Sequence, residues 1–193
     1  MMKPSSKLVK LVIISLLSTL SMILMLLDFP LPFLPNYLKV DFSDIPAIIA
    51  AFVFSPIAGV LVEGLKNALY FLYSGSGDPI GVLANFIAGS MFVMPVALLY
   101  HKFKTVKSVM SGLITSTIVM AFGMSVLNYF VILPAYSWFM GWETMSPTVK
   151  LTTVMAGILP FNMIKGVLIT ILFIPLFMNL KPWIEQKRFS FSK

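Results

Sequence analysis

Two polar residues, Asn162 and Lys165, interrupt the apolar sequence Ile158-Leu-Pro-Phe-Asn-Met-Ile-Lys-Gly166. A charged side chain at the centre of a bilayer costs roughly 2.5–3.5 kcal/mol, and it normally faces a cavity or a partner. Because the two residues are three positions apart, the amide and the ammonium group share one face of a helix. The pair therefore predicts a polar binding surface inside a membrane protein.

A third polar residue, Asn128, extends this predicted surface. It lies in Val126-Leu-Asn-Tyr-Phe130, toward the outer end of the fifth predicted membrane span. Asn162 and Lys165 enter the bundle from the outer end of the sixth span. The three side chains can therefore converge in the outer half of the bundle, which favours a ligand site.

Polar residues in the third and fourth predicted spans favour structural roles. Glu63 and Lys66 are three positions apart and can pair, which reduces the cost of burying either charge. Asn85 is more typical of an interhelical hydrogen bond than of a ligand contact. We therefore favour helix contacts over ligand contacts for these three residues.

Membrane-spanning helices must position these side chains, because the composition is that of a membrane protein. Of 193 residues, 59% are hydrophobic and 11% are charged, and the mean hydropathy is +0.96, far outside the soluble globular range. The apolar run at 11–27 precedes no small-residue cleavage site, so it predicts a transmembrane helix and not a signal peptide. The absence of cysteine excludes disulfides and thiolate metal ligands.

We expect an all-α membrane protein, a six-transmembrane-helix bundle with a structured outer loop between helices 1 and 2. The length fits one integral-membrane domain, residues 1–193, with about six crossings of roughly 20 residues each. Pro56 and Gly59 predict a tight turn between two short spans, the second and the third. The predicted spans are residues 8–27, 44–56, 57–73, 79–100, 108–133 and 151–178.

Basic residues predict the orientation of the bundle. With both termini inside, the inner segments contain Lys3, Lys7, Lys10, Lys102, Lys104, Lys107, Lys181, Lys187, Arg188 and Lys193. The outer segments contain only Lys39 and Lys150, and they contain the acidic residues Asp28, Asp41, Asp44, Asp78 and Glu143. This asymmetry predicts a multi-pass membrane protein with both termini in the cytoplasm. The net charge of +7 is thus a topology signal, and we expect no nucleic-acid partner.

The first outer loop, residues 28–44, has an unusual composition. It combines three prolines with the aromatic residues Phe29, Phe33, Tyr37 and Phe42. Prolines restrict the backbone, and apolar side chains need a surface to cover. Two interpretations are equally compatible with this composition: a lid over a ligand pocket, or a loop that lies among the lipid headgroups.

The sequence offers few residues for catalysis. His101 is the only histidine, and it lies among basic residues at an inner helix end, so we identify no catalytic residue and no metal site. The sequence also has no nucleotide-binding motif, so uphill transport would need an ion gradient or a separate ATPase. Two alternatives remain: an ion-coupled transporter or channel with Glu63 as proton carrier, and a membrane-embedded lipid-modifying enzyme with Lys165 and Glu63 as acid–base residues.

Several motifs, in order, resemble those of one family over nearly the whole chain. They are Phe33-Leu-Pro-Asn-Tyr-Leu-Lys-Val-Asp-Phe-Ser-Asp44, Gly77-Asp-Pro-Ile-Gly81 with Ala84-Asn-Phe-Ile-Ala-Gly89, Leu127-Asn-Tyr-Phe130 and Pro160-Phe-Asn-Met-Ile-Lys-Gly166. The chain resembles the riboflavin-specific substrate-binding (S) component of energy-coupling factor (ECF) vitamin transporters. The resemblance implies a six-helix membrane protein that captures riboflavin outside and delivers it inward. Its partners would be a transmembrane coupling subunit, two ATPase subunits and membrane lipid.

The resemblance also implies a set of functional residues. It assigns riboflavin binding to Asn128, Asn162 and Lys165, with Leu38, Val40 and Phe42 of the first outer loop as the lid. In the family an Ala-x3-Ala motif on the first helix docks on the coupling subunit, and Ser15 and Thr19 occupy the corresponding positions here. Riboflavin is then cargo rather than a cofactor, and the protein is not an enzyme.

Overall fold

The computed structural model describes residues 6–74 and 77–191, with side chains for residues 7–74 and 77–188. Lys3 and Lys193, which the orientation argument includes, lie outside the described residues. Two short strands, β1 (Phe29–Pro30) and β2 (Lys39–Val40), pair antiparallel. The helices are α1 (Ser6–Leu26), α2 (Asp44–Val53), α3 (Pro56–Ser74), α4 (Pro79–Phe103), α5 (Val106–Leu127), α6 (Leu133–Met140), α7 (Pro147–Thr153) and α8 (Leu159–Phe191).

Helices long and apolar enough to cross a membrane form the frame of the fold. Within the described residues there are four such stretches: Lys7–Leu26, Pro79–Phe103, Val106–Met140 and Pro147–Arg188. α2, with 10 residues, and α3, with 19 residues, do not belong to this set. The all-helical membrane architecture therefore agrees with the sequence prediction at this coarser level.

The turn between α2 and α3 lies slightly earlier in the chain than the sequence predicts. α2 ends at Val53 and Pro56 begins α3, where a proline's missing N–H is not needed. Gly59 lies inside α3 and serves packing, because a Cβ there would lie 2.6 Å from Val93 Cγ1 and 2.7 Å from Ala51 Cβ. The glycine thus permits the close approach of α2, α3 and α4.

Two π-helical turns, Asn128–Ile132 and Val154–Ile158, join α5 to α6 and α7 to α8. Pro134 and Pro160 each follow one of these turns, and proline has no N–H to continue the helical hydrogen-bond pattern. The helical stretches consequently extend beyond the predicted spans 108–133 and 151–178. Such turns often occur at functional sites because they redirect side chains.

An aromatic cluster closes the end of the bundle near the carboxyl end of α4. Phe52 stacks on Tyr100 with ring centroids 4.0 Å apart, and Phe173 and Phe177 pack edge-on against Phe52. Because a helix rises about 1.5 Å per residue, Phe177 lies about 18 Å along α8 from Lys165. The polar residues of α8 are therefore remote from this closed end.

Candidate ligand-binding site

A cavity of about 260 Å³ lies between the first outer loop and the ends of α4, α5, α6 and α8. Polar, aromatic and aliphatic side chains line it together, as in most small-molecule sites. The lining includes the three residues that the sequence predicts as a ligand site. The polar members are Lys39, Asp78, Asn85, Asn128, Asn162 and Lys165, and the aromatic members are Tyr37, Tyr136, Trp142 and Phe161.

Asn128 and Asn162 are held in the same way. Asn128 Nδ2 donates to Met124 O at 2.8 Å, and Asn162 Nδ2 donates to Ile158 O at 2.8 Å. Each bond runs back one helical turn and uses one of the two amide hydrogens. Each side chain therefore keeps its second amide hydrogen and its carbonyl oxygen for a molecule in the cavity.

Lys165 lies at the buried side of the cavity with its ammonium group partly engaged. Nζ is 3.2 Å from Asp41 Oδ2 and 3.3 Å from Asp44 Oδ2, and the side chain is 4% exposed. An ammonium group has three donors. One donates to Asp41 Oδ2, and the contact with Asp44 Oδ2 is an ion pair without a hydrogen bond, so at least one donor remains for an acceptor in the cavity that Lys165 lines.

Lys66 lies deeper and is fully engaged. Its Nζ is 2.6 Å from Ser43 Oγ, 2.7 Å from Asp44 Oδ1 and 2.7 Å from Glu63 Oε2. The predicted pairing of Glu63 with Lys66 is confirmed. Asp44 contacts both lysines, so one buried network joins α2, α3 and α8.

Asp41 and Asp44 differ from the expectation for outer acidic residues. They are 3% and 0% exposed, and they neutralise buried lysines. The reason is that the end of the first outer loop turns into the bundle: Asp41 Oδ1 accepts from the N–H of Ser43 at 2.8 Å, and Ser21 Oγ donates to Ser43 O at 2.7 Å. The sequence prediction counts Asp41 and Asp44 as outer residues only because they lie in a predicted outer loop.

The first outer loop covers the cavity through Tyr37, Leu38 and Lys39. Of the three predicted lid residues, Leu38 lines the cavity. Val40 does not line it and is fully buried within β2, while Phe42 packs against Phe29 with ring centroids 6.1 Å apart. Val40 and Phe42 therefore fix the loop to the bundle, and the lining comes from residues 37–39.

The mouth of the cavity combines a carboxylate with stacked aromatic rings. Tyr136 Oη donates to Asp78 Oδ2 at 2.8 Å, and the rings of Tyr136 and Trp142 stack with centroids 4.5 Å apart. Asp78 also caps α4, because its Oδ1 accepts from the N–H of Gly81 at 2.8 Å. The helix start thus fixes a carboxylate at the mouth.

Comparison with known proteins identifies the family. The family model described as "ECF transporter, substrate-specific component" matches residues 9–177. The chain belongs to this family. A solved structure titled "Structure and mechanism of the S component of a bacterial ECF transporter" is similar, with a TM-score of 0.80 and 41% identity, and the match covers 93% of this chain and 99% of that one.

Curated relatives of this S component are named as riboflavin transporters. "Riboflavin transporter FmnP" of Bacillus subtilis (strain 168) is 51% identical over 184 residues, which cover 94% of this chain and 97% of the relative. "Riboflavin transporter RibU" of Staphylococcus aureus (strain TCH60) is 42% identical over 177 residues, 92% of this chain and 93% of the relative.

Membership of the family makes this S component a transport subunit of a bacterial membrane and not an enzyme. Both rival classes, the lipid-modifying enzyme and the ion-coupled transporter, lack such support. Among the described residues, no group of three or more histidine, aspartate and glutamate side chains is placed to hold a metal ion.

The predicted docking residues of this S component lie on the exposed side of α1. Ser15 and Thr19 are both exposed, and Thr19 Oγ1 donates to Ser15 O at 3.0 Å. Bulkier residues on the same helix, Leu11, Leu16 and Leu20, are also exposed. Two small side chains thus lie among bulkier apolar residues on the exposed part of α1.

Sequence reasoning missed Asp78, Tyr136 and Trp142 as members of the cavity. Asp78 has the pattern of a helix cap, with Pro79 after it, and that pattern gives no sign of a second role. Tyr136 and Trp142 lie beyond the predicted end of the fifth span at residue 133. Pro134, the residue directly after this predicted span, could have signalled a π turn within a helix that continues.

Proposed function

We propose that this S component binds riboflavin from outside the cell and delivers it inward together with an ECF coupling subunit and two ATPase subunits. The convergence of Asn128, Asn162 and Lys165 on one cavity under the first outer loop carries the proposal. The comparisons also support the proposal, because two relatives, 51% and 42% identical to this chain, are named riboflavin transporters. In this proposal riboflavin is cargo, and no cofactor takes part.

The chemistry of the cavity suits a flavin. Riboflavin has a flat ring system whose pyrimidine-like edge both donates and accepts hydrogen bonds, and a polyhydroxyl tail. The two asparagines offer donors and acceptors, and Lys165 offers one donor. Apolar and aromatic residues of the lining, including Leu38 and Phe161, can cover the ring faces. The proposed binding residues are Asn128, Asn162, Lys165 and Leu38, with Val40 and Phe42 holding the lid.

We further propose one membrane domain, residues 1–193, with six crossings and both termini in the cytoplasm. The four long apolar stretches supply four crossings, and α2 and α3 together supply two shorter ones. α2 suits an interior position because most of its side chains are buried. The basic residues at the proposed inner ends support the orientation.

Spectroscopy of the purified protein tests the ligand. We expect protein purified from riboflavin-containing medium to retain flavin absorbance through washing in detergent. Liposomes that contain the S component alone should not accumulate riboflavin, with or without a proton gradient. Absence of flavin binding would contradict the ligand assignment, whereas concentrative uptake by the chain alone would contradict the dependence on ATPase subunits.

The α1 face with Ser15 and Thr19 is the proposed docking surface for the coupling subunit, because small residues allow helices to approach closely. Replacing both residues with leucine should block uptake in cells that contain the coupling subunits, while riboflavin binding by purified protein stays within about twofold of wild type. Replacing Ser111 and Thr115, an exposed pair with the same spacing on α5, with leucine is the matched control and should leave both intact. Normal uptake by the double variant would place docking elsewhere.

A further inference from the structure

Asp41, near the end of the first outer loop, connects this loop to a distant helix. Asp41 directly follows β2, is 3% exposed, and places Oδ2 3.2 Å from Nζ of Lys165 on α8. Its other oxygen, Oδ1, accepts from the N–H of Ser43 at 2.8 Å. The backbone bond fixes the carboxylate, so the ion pair connects the loop to α8 in a defined geometry.

The contacts of Asp41 also hold in place the loop residues that cover the cavity. Tyr37, Leu38 and Lys39 line the cavity and lie just before Asp41 in the chain. Lys39 belongs to β2, which is paired with β1 in the register Phe29 to Val40. The ribbon therefore moves as a unit, and the Asp41–Lys165 pair is placed at the end where the ribbon enters the bundle.

The first outer loop has a second ion pair, but it is exposed. Lys39 Nζ is 3.1 Å from Asp28 Oδ1, with side chains 48% and 27% exposed. Exposed pairs contribute little because water competes for both charges. The buried pair is therefore the electrostatic contact that can fasten the loop.

We propose that Asp41 is a positioning residue that latches the first outer loop over the bound ligand by pairing with Lys165, and so limits the rate of ligand release. The proposal rests on riboflavin binding as proposed above. The ammonium group of Lys165 then binds two partners, the carboxylate of Asp41 in the loop and the ligand.

Because both use Lys165, ligand binding and closure of the first outer loop stabilise each other. A ligand acceptor that takes a remaining donor of Lys165 holds Nζ at the position where it also pairs with Asp41. Conversely, an Asp41 that is paired holds Lys165 toward the cavity. Coupling of this kind is reciprocal, so the bound ligand stabilises the closed loop as much as the closed loop stabilises the ligand.

Asp44 does not serve as this latch. It lies at the start of α2, is fully buried, and pairs with Lys66 at 2.7 Å as well as with Lys165. Asp44 thus joins three helices of the bundle, α2, α3 and α8. Loss of Asp44 therefore affects the folded bundle, whereas loss of the Asp41 pair acts on the loop.

The test compares Asp41→Asn with the matched control Asp28→Asn in the full-length chain. Asparagine keeps the shape and the Ser43 contact but removes the charge that pairs with Lys165. We expect riboflavin release from the purified Asp41→Asn protein, followed by flavin fluorescence, to be about tenfold faster than from wild type. Asp28→Asn should change it by less than about twofold. Equal release rates for wild type and Asp41→Asn would overturn the latch.

Two further measurements separate a latch from a purely structural role. Cleavage at Lys39 in riboflavin-bound protein should accelerate in Asp41→Asn, and Asp41→Glu, which keeps the charge, should restore slow release in part. A lower melting temperature with unchanged release and cleavage would mean that Asp41 only stabilises the bundle. If Asp41→Asn does not fold, release from Asp41→Glu still tests the latch, with a smaller increase expected and no increase overturning it.

A failure of the proposed riboflavin binding can be distinguished from a failure of the latch. If wild-type protein binds no riboflavin, cleavage at Lys39 in the ligand-free proteins still compares wild type with Asp41→Asn and Asp28→Asn. Faster cleavage in Asp41→Asn alone would uphold the loop attachment without the riboflavin assignment. Equal cleavage in all three would overturn the attachment as well.

Discussion

Lys66 and Lys165 are both buried and share the carboxylate of Asp44, yet they differ in whether their ammonium groups can also bind a ligand. Lys66 donates to Ser43 and Asp44, forms an ion pair with Glu63 at 2.7 Å, and does not line the cavity. Lys165 donates to Asp41, forms an ion pair with Asp44 and lines the cavity. The comparison teaches that a buried lysine is a ligand-binding residue only when its protein partners leave a donor unused.

Substitution of Lys66 is the largest expected perturbation. Lys66→Met would leave Glu63 without a cation and Asp44 with Lys165 alone, and breaking a buried ion pair costs about 3–5 kcal/mol. We expect strongly reduced thermal stability in detergent, with near-normal riboflavin affinity in whatever fraction folds. A stable Lys66→Met protein with weakened binding would reverse the roles assigned to the two lysines.

Substitution of Lys165 should affect binding more than Lys66→Met does and stability less. Lys165→Met leaves Asp44 paired with Lys66 and Asp41 bonded to the N–H of Ser43. It removes the donor that faces the cavity, which costs about 1–3 kcal/mol of binding free energy, or roughly 5- to 150-fold in affinity. Equilibrium titration with riboflavin measures the loss. Unchanged affinity would remove Lys165 from the site.

Glu63→Gln should have the smallest effect of the series. Three carboxylates face two ammonium groups in this network, so replacing one carboxylate by an amide leaves the charges balanced. Within the described chain, no hydrogen-bond donor reaches Glu63 Oε1. We expect a loss of about 1 kcal/mol or less in unfolding free energy. Asp44→Asn, which leaves both lysines short of a partner, is the matched comparison and should cost more; equal losses would contradict the charge balance.

Local spacing explains which parts of the site could be predicted from the sequence. Asn162 with Lys165, and Glu63 with Lys66, are each three residues apart, so helical geometry alone brings each pair to one face. The membrane class follows from composition. These features depend on neighbours in the chain, and the structure places them as the spacing requires.

Features that depend on distant contacts could not be predicted in this way. Asp41 pairs with Lys165 across 124 residues, and nothing near Asp41 distinguishes it from a solvent-exposed loop carboxylate. Leu38, Val40 and Phe42 are at every second position of the loop, yet only Leu38 lines the cavity. Val40 is fully buried elsewhere, and Phe42 packs against the core of the bundle. Tyr136 joined the site because a π turn extends the helix past the predicted end.

The most direct test of the central claim, that the cavity binds riboflavin through its converging amides, compares two asparagines. Asn67 Nδ2 donates to Glu63 O at 2.9 Å, the same one-turn bond that Asn162 makes, but Asn67 faces a groove between α3 and α4. Titration of purified Asn162→Leu with riboflavin should show affinity reduced by roughly 5- to 150-fold, whereas Asn67→Leu should stay within about threefold of wild type. Equal affinities for the two variants would contradict the assignment of this cavity as the riboflavin site.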